Sequence, residues 1–254
     1  MIRDERFARI LSYVNEKQYA SVDELVQLLG VSKATVRRDL SMLCSTEQLV
    51  SSWGGVRAQV TTEKSEPVYN EKKISHVAEK RRIGEAAAKL IRPGMSVILD
   101  AGTTTQAIVP YIKGIRNLNI ATNDLMIAVD LAVHENINVM VTGGQIRSNY
   151  YTLRGFSAED MVKNIRADIA FLGFDMIDVN AGFFITNTDE VALKRCMIES
   201  AKKVVAVCDH TKFHGNAFVS VCPVERVNVV ISDRNAPVEA VKQLVKAQVE
   251  VILA

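Results

Sequence analysis

From Ser96 to the end of the chain one unit recurs: a short apolar run, a polar or glycine-containing turn, then an amphipathic stretch with helical spacing. The apolar runs cover 96–99, 119–121, 138–141, 168–172, 204–207 and 227–231. Helical stretches at 124–134, 157–165, 189–202 and 238–247 lie between them or follow the last. Runs so short and continuously apolar suit strands covered on both faces, as in a parallel sheet. Strands that alternate with helices over short connections define an α/β domain. The stripe Met126, Val129 and Val133 is expected in its core.

The first 58 residues follow a different grammar. Phe7, Ile10, Leu11 and Val14 recur at helical spacing and predict a helix over 4–17. Ser21-Val22-Asp23-Glu24 is a capping box, in which serine and glutamate each satisfy a free N–H at a helix start. That second helix runs through Leu29 and stops at Gly30, a residue free to adopt positive φ. Ser32 then caps a third helix to about Cys44. Helix, short turn, helix is the layout of a helix-turn-helix, whose last helix enters the major groove with its N-terminal part. Val36, Leu40 and Leu43 would face inward, leaving Lys33, Thr35, Arg37 and Arg38 outward. Arginine pairs bidentately with guanine, while lysine and threonine serve phosphates or base edges. Residues 49–58, with Gly54-Gly55 at their centre, read as a hairpin, a wing beside the recognition helix. A capped helix pair with a few basic residues also fits a protein-interaction bundle.

The polar, proline-containing segment after the wing reads as a linker. The expected organisation is a head over 1–58, a linker over 59–75 and a body over 76–254.

Two classes of function are excluded by composition. No apolar run reaches the roughly 18 residues of a membrane span. The charged start Met1-Ile2-Arg3-Asp4-Glu5-Arg6 reads as helix and not as a signal peptide, so a cytoplasmic protein is expected. Cys44, Cys196, Cys208 and Cys222 form no C-x-x-C pair and read as small apolar residues in a reducing compartment. The net charge of +2 divides almost evenly. Residues 1–65 hold 9 Lys and Arg against 8 Asp and Glu, and 83–254 hold 17 against 18. Bulk attraction to DNA is therefore modest, and binding must rest on the Lys33, Arg37, Arg38 cluster.

In an open α/β sheet, ligands bind beyond the carboxyl ends of the strands. The segments expected there are Asp100-Ala101-Gly102-Thr103-Thr104-Thr105, Thr122-Asn123-Asp124, Thr142-Gly143-Gly144, Gly173-Phe174-Asp175 and Asp209-His210-Thr211-Lys212-Phe213. Each alone is an ordinary turn, but five convergent polar ends make a candidate site. Asp100, Asp175 and Asp209 can accept hydrogen bonds from sugar hydroxyls. Thr103, Thr104, Thr105 and Lys194 or Lys212 can answer a phosphate. Neither G-x-x-x-x-G-K-[ST] nor G-x-G-x-x-G occurs, so no nucleotide cofactor is expected. His210 and His214 have a spacing seen in zinc sites, but no third ligand is near in sequence, so no metal is assigned. Glu190 and Lys194, four apart on a helix, fit either a surface pair or a ligand site.

Two stretches carry a family resemblance. Residues 6–58 resemble the DNA-binding head of the DeoR family of bacterial transcriptional repressors, through Arg6–Ile10, the capping-box helix, Val31-Ser32-Lys33-Ala34-Thr35-Val36-Arg37-Arg38-Asp39-Leu40 and Gly54-Gly55. The resemblance implies a winged helix-turn-helix in which Thr35, Arg37 and Arg38 meet the operator and Asp39 helps hold the helix, and Ser32 and Lys33 at its start are further candidate DNA contacts. The wing departs from the family pattern. Trp53, after Ser51 and Ser52, stands where a histidine is usual, which shifts wing contacts toward Trp53 and Arg57. Residues 76–250 resemble the family's sugar-phosphate sensor, itself similar to ribose-5-phosphate isomerase and glucosamine-6-phosphate deaminase. The implied fold is a Rossmann-like α/β domain. The implied effector-binding residues are Asp100, Gly102, Thr103, Thr104, Thr105, Thr122, Asn123, Gly143, Gly144, Gly173, Asp175, Glu190, Lys194, Asp209 and Lys212. Phe174 would alter ligand preference, and Tyr150-Tyr151 would lie over the ligand mouth or at a subunit contact.

The resulting expectation is a transcriptional regulator without catalytic residues, a repressor of a carbohydrate-use operon. A homodimer or homotetramer would hold double-stranded operator DNA, and a bound sugar phosphate would alter that affinity. The alternative is a sugar-phosphate isomerase-like enzyme with an accessory DNA-binding head. Asp100, Asp175, Glu190 and His210 would supply its acids and bases.

Overall fold

The computed structural model describes residues 3–17, 19–46, 48–52, 54–58 and 67–254. The chain divides into two compact units, Met1–Ser65 and Glu66–Ala254. Residues 59–66 of the expected linker, and Trp53 in the wing, lie outside the described residues.

The head runs α1 (Arg3–Lys17), β1 (Tyr19–Ser21), α2 (Val22–Leu29), α3 (Lys33–Ser45), β2 (Leu49–Ser52) and β3 (Gly55–Ala58). Both halves of the capping box form: the Ser21 hydroxyl accepts from the Glu24 amide, and the Glu24 carboxylate accepts from the Ser21 amide. Gly30 ends α2 at φ 64°, the left-handed conformation glycine adopts without steric cost. Ile10, Val14, Leu25, Val36, Leu40 and Leu43 close one core with Leu49 and Val56 of the hairpin. The sequence reading lacked β1. It pairs antiparallel with β3, which makes the hairpin a three-stranded sheet of order β1-β3-β2. The approach is so close that a Cβ on Gly55 would meet the Ala20 carbonyl oxygen at 2.2 Å.

The body opens with α4 (Tyr69–Ile74) and α5 (Val77–Ala88), so part of the expected linker is helical. Then come β4 (Ser96–Leu99), α6 (Thr103–Gln106), α7 (Val109–Ile112), β5 (Leu118–Thr122), α8 (Leu125–Leu131) and β6 (Ile137–Val141). A hairpin, β7 (Gln145–Arg147) and β8 (Thr152–Arg154), leads to α9 (Phe156–Lys163) and β9 (Ala167–Leu172). The remainder is β10 (Met176–Asp178), β11 (Gly182–Ile185), α10 (Val191–Ser200), β12 (Ala201–Val207), β13 (Val219–Cys222), β14 (Val229–Ser232), α11 (Val238–Lys246) and β15 (Glu250–Leu253).

Seven strands form one all-parallel sheet of order β15-β14-β12-β9-β4-β5-β6. Its two faces carry separate cores. Val97, Leu99, Ile169, Phe171, Val205 and Val207 pack with Ile83 of α5, Ile112 of α7 and Ile127 of α8. Ile98, Ala170, Leu172, Val204 and Ala206 pack with Val162 of α9, Met197 of α10 and Leu244 of α11. Strands buried on both faces explain why the runs are apolar throughout. The stripe expected in the core is not there. Val129 and Val133 are 64% and 77% exposed, and α8 buries Ile127, Ala128 and Leu131 instead. The helical repeat is right, but the buried face is rotated. A small antiparallel sheet, β10-β11-β13, was also absent from the sequence reading.

Candidate DNA interface and effector site

In the head, the Ser32 hydroxyl caps α3 by accepting from the Thr35 amide at 3.2 Å, and the two hydroxyls lie 2.9 Å apart. Val36, Asp39, Leu40 and Leu43 are buried, so the helix presents Lys33, Arg37 and Arg38 on the opposite side. Asp39 accepts from Arg6 of α1 through both carboxylate oxygens, at 2.6 and 3.1 Å. This two-point ion pair pins the rotation of α3, and with it the outward direction of the arginines. Lys33 pairs with Asp23 of α2 at 2.7 Å, which draws its charge toward the neighbouring helix. Arg37 lines a shallow cleft with Ser41 of α3 and Ser51, Ser52 and Gly54 of the wing. Arg57 is exposed on β3, opposite both Val50 and Tyr19.

In the body, all seven strands point the same way, so their carboxyl ends share one edge. The chain leaves β4 toward β5 and β6, then returns to place β9 on the other side of β4. The crevice between β4 and β9 is therefore the topological switch point, where open α/β sheets bind ligands. Asp100 and Gly173 stand there. Asp100 accepts from the Gly173 amide at 3.1 Å and pairs with Lys194 of α10, which also donates to the Gly173 carbonyl at 2.8 Å. Both charged side chains are buried. Asp100 thus ties two strand ends together through a lysine that the helical pattern left between surface and site. Lys194 does not pair with Glu190; that carboxylate meets Arg147 of the hairpin at 2.9 Å.

Next to this crevice, backbone and side chains interlock. The Asn123 side chain accepts from the Ala101 amide at 2.8 Å and donates to the Leu153 carbonyl at 3.3 Å. Asp124, the N-cap of α8, accepts from the amides of Met126, Ile127 and Gly102. Burial pushes its carboxyl up to about 6, opposed by those three amides and assisted by nearby Asp100. The Thr122 hydroxyl accepts from the Asp124 amide, and the Thr105 hydroxyl donates to the Gly102 carbonyl. Thr104 and Thr105 are buried, whereas Thr103 is half-exposed at the start of α6. Gly143 and Gly144 are exposed where the chain leaves β6, and a Cβ on Gly144 would meet the Arg154 carbonyl oxygen at 2.3 Å. Much of the expected effector set therefore builds the strand-end scaffold.

The other side of the crevice is strongly charged. Asp175 accepts from the Thr186 amide at 2.9 Å and pairs with Lys72 of α4 at 3.1 Å. Burial raises its carboxyl, but Lys72, the Thr186 amide and Lys212 outweigh it and hold it below the ordinary range. Asp209 is buried, and its side chain caps the turn His210–His214 through the Thr211 amide at 3.0 Å. Lys212, on that turn, is half-buried, and its ammonium has no hydrogen-bond or ion-pair partner among the described residues. Lys80 donates to the carbonyls of Lys72 and Ser75, and burial lowers its ammonium to about 8, with Lys212 and Lys72 adding to the fall against Asp209. His210 pairs with Asp233 at 3.1 Å. The described residues contain no group of three His, Cys, Asp or Glu placed to hold a metal ion.

The Phe174 ring lies 5.5 Å from the Lys194 ammonium. It is buried against Phe183, centroid to centroid 4.8 Å. Tyr151 packs edge-on against Tyr69 at 5.1 Å, and Tyr150 lies 3.6 Å beneath the Arg147 guanidinium. Sequence reasoning missed Lys72, Tyr69, Lys80, Arg147 and Arg154, and placed Asp124 at a strand end without a role. Its capping role was legible in the sequence, as an N-cap residue directly before a helical stretch.

A winged helix-turn-helix with an arginine-bearing last helix, carried on a parallel α/β body, defines a DNA-binding transcriptional regulator. Residues 6–62 match the DeoR-like helix-turn-helix domain, and residues 75–234 match the DeoR C terminal sensor domain. The chain belongs to the DeoR family. It is 34% identical to a putative aga operon transcriptional repressor of Escherichia coli O157:H7, over 98% of this chain and 93% of that one. It is 30% identical to the glycerol-3-phosphate regulon repressor of Escherichia coli K12, over the whole of both chains. These relatives are regulators, and this protein is a regulator and not an enzyme. Among solved structures, ribose 5-phosphate isomerase A of Methanocaldococcus jannaschii is similar over 55% of each chain, with 16% identity and a TM-score of 0.41. Full-length SorC of Klebsiella pneumoniae is similar over 95% of this chain and 99% of its own, with 10% identity and a TM-score of 0.44. No helix among the described residues is long and apolar enough to cross a membrane.

Proposed function

We propose that the protein represses a carbohydrate-use operon in the cytoplasm and that a phosphorylated sugar or related metabolite, bound at the strand ends of the body, alters its affinity for the operator. In this reading the head occupies 1–58 and the effector and oligomerisation domain 76–254. Ser32, Lys33, Thr35, Arg37, Arg38 and Arg57 contact DNA. Two or four copies present paired heads to repeated or palindromic half-sites. The observation that carries the effector reading is Lys212: a half-buried cation with no hydrogen-bond or close ion-pair partner among the described residues, near the Asp175 carboxylate and on the turn that Asp209 caps. Desolvating an ammonium is costly unless an anion or acceptor meets it. A phosphate supplies the anion, and the neighbouring carboxylates accept from sugar hydroxyls. The relatives named for aga and glycerol-3-phosphate regulation agree with that chemistry. A ligand shifts operator affinity only by its differential affinity for the two states of the protein. The test is a thermal-shift screen of sugar phosphates against their free sugars, followed by gel shifts with the stabilising compound. A phosphorylated compound should stabilise the protein and change operator binding, and Lys212→Met should abolish both responses. Stabilisation by free sugars alone would overturn the phosphate assignment.

A further inference from the structure

Lys72 lies between the two matched family segments, 6–62 and 75–234, so neither domain description covers it. It sits on α4, the first element of the body, which residues 59–68 join to the last strand of the head. A helix of six residues does not hold itself in water. Contacts of Tyr69, Lys72 and Lys80 hold α4 to the strand-end edge and to α5. The Tyr69 hydroxyl donates to the Gln106 side chain at the end of α6, and the Tyr69 amide donates to the Asn149 carbonyl at 3.2 Å. Lys72 pairs with Asp175 at 3.1 Å. Lys80 of α5 grips the Lys72 and Ser75 carbonyls.

We propose that Lys72 is an anion-binding residue of the effector site, and that an incoming phosphate draws its ammonium away from Asp175 and thereby shifts α4. The proposal rests on the effector reading above and adds a residue and a route to it. Lys212 offers the first contact, since its ammonium makes no hydrogen bond or close ion pair among the described residues, and its charge acts on the same carboxylate as Lys72. A phosphate monoester carries nearly twice the charge of Asp175, so at similar distance it wins the competition for Lys72. Lys72 lies in the last turn of α4, so a side chain drawn toward phosphate pulls on that turn against the grip of Lys80 on the Lys72 and Ser75 carbonyls. The segment leading from the head enters α4 at its other end, at Tyr69. The effector state is thereby written into α4, a two-state element that ligand and DNA can both bias.

The experiment uses the full chain and inorganic phosphate, with binding read by thermal shift and α4 read by hydrogen exchange over 69–74. Phosphate should stabilise the wild type and speed exchange in α4 several-fold. Lys72→Met should bind phosphate several-fold more weakly, while Lys72→Arg keeps both responses. Asp175→Asn should bind phosphate more tightly and exchange fast in α4 without it, because the competing carboxylate is gone. A lysine that merely glued α4 in place would not make Asp175→Asn a tighter binder. If phosphate stabilises the wild type and Lys72→Met alike, or leaves α4 exchange unchanged at saturation, the proposal falls and the effector reading stands. If inorganic phosphate stabilises no form of the protein, the proposal falls, and the effector reading is decided by the sugar-phosphate screen.

Discussion

Asp100 and Lys194 are buried together, and each holds the other in a place where neither charge would survive alone. Removing one partner from such a pair leaves an uncompensated buried charge and costs about 3–5 kcal/mol. Lys194→Met should therefore lower the stability of the body by that order in urea unfolding, and Asp100→Asn added to it should recover part of the loss. A single variant as stable as wild type would show that water reaches Asp100. Asp175 makes a prediction of a different kind. Its carboxyl is held below the ordinary range, so the folded state binds its proton less readily than the unfolded chain. The stability it contributes is complete above its unfolded pKa of about 3.9 and is lost as pH falls through the folded value. Asp124 works in the opposite sense. With its carboxyl raised to about 6, the folded state keeps a proton that the unfolded chain releases, and stability falls as pH rises through that window. Asp175→Asn should narrow its deficit against wild type as the buffer is taken from pH 6 to pH 3, read as urea midpoints. A deficit that stays constant would remove the ionised carboxylate from the stability of this corner.

At the scale of elements, the hairpin β7–β8 is tied down by charge and by close approach. Arg147 reaches Glu190 and Arg154 reaches Asp189, both on the turn before α10. Gly144, at φ 118°, leaves no room for a side chain against Arg154. Gly144→Ala combines that clash with a backbone conformation alanine avoids. It should cost about 1–3 kcal/mol, measured as a loss of melting temperature, and hydrogen exchange should rise first in 145–154. The elements legible in the sequence were those with an internal signal. The capping box at Ser21 and Glu24, Gly30 at the end of α2 and the six apolar runs each predict structure from a few neighbouring residues. What stayed hidden depends on partners far away in the chain. β1 is three residues long and exists because Gly55 lets β3 approach it. α4 lies in a polar stretch and is held by Gln106, Asn149 and Asp175, more than thirty residues distant. The candidate site divides in the same way. Its segments were recognisable as strand ends, but which side chains brace the scaffold and which stay unmatched depends on the fold. Asp100 and Lys194 pair across 94 positions, whereas the Lys212 ammonium has no direct partner among the described residues.

At the scale of the whole molecule, charge limits how this protein can hold DNA. The head carries a net charge of +1, and one of its outward cations, Lys33, is already paired with Asp23. Of the cations proposed to meet DNA, Arg37, Arg38 and Arg57 have no ion pair among the described residues, three groups for each head that can displace counterions. Two heads on one operator would neutralise about six phosphates at most, which predicts a slope of log K against log salt of about −5. A slope much steeper than that would require cations from the body or more than two heads on the duplex. The same measurement separates the roles of the arginines. If Arg37 meets a phosphate, Arg37→Ala should weaken all duplexes alike and flatten the slope by about one unit per head. If it reads a base edge, the slope should stay near the wild-type value, affinity for the operator should fall by about 1–3 kcal/mol, and discrimination at one position of each half-site should relax. The capped start of α3, its rotation pinned by Arg6 and Asp39, favours the second outcome for Arg37, which faces the cleft beside the wing. Arg57, exposed on the wing strand, should follow the first. If both variants flattened the slope equally and neither relaxed discrimination, sequence reading would have to come from Thr35 and Arg38.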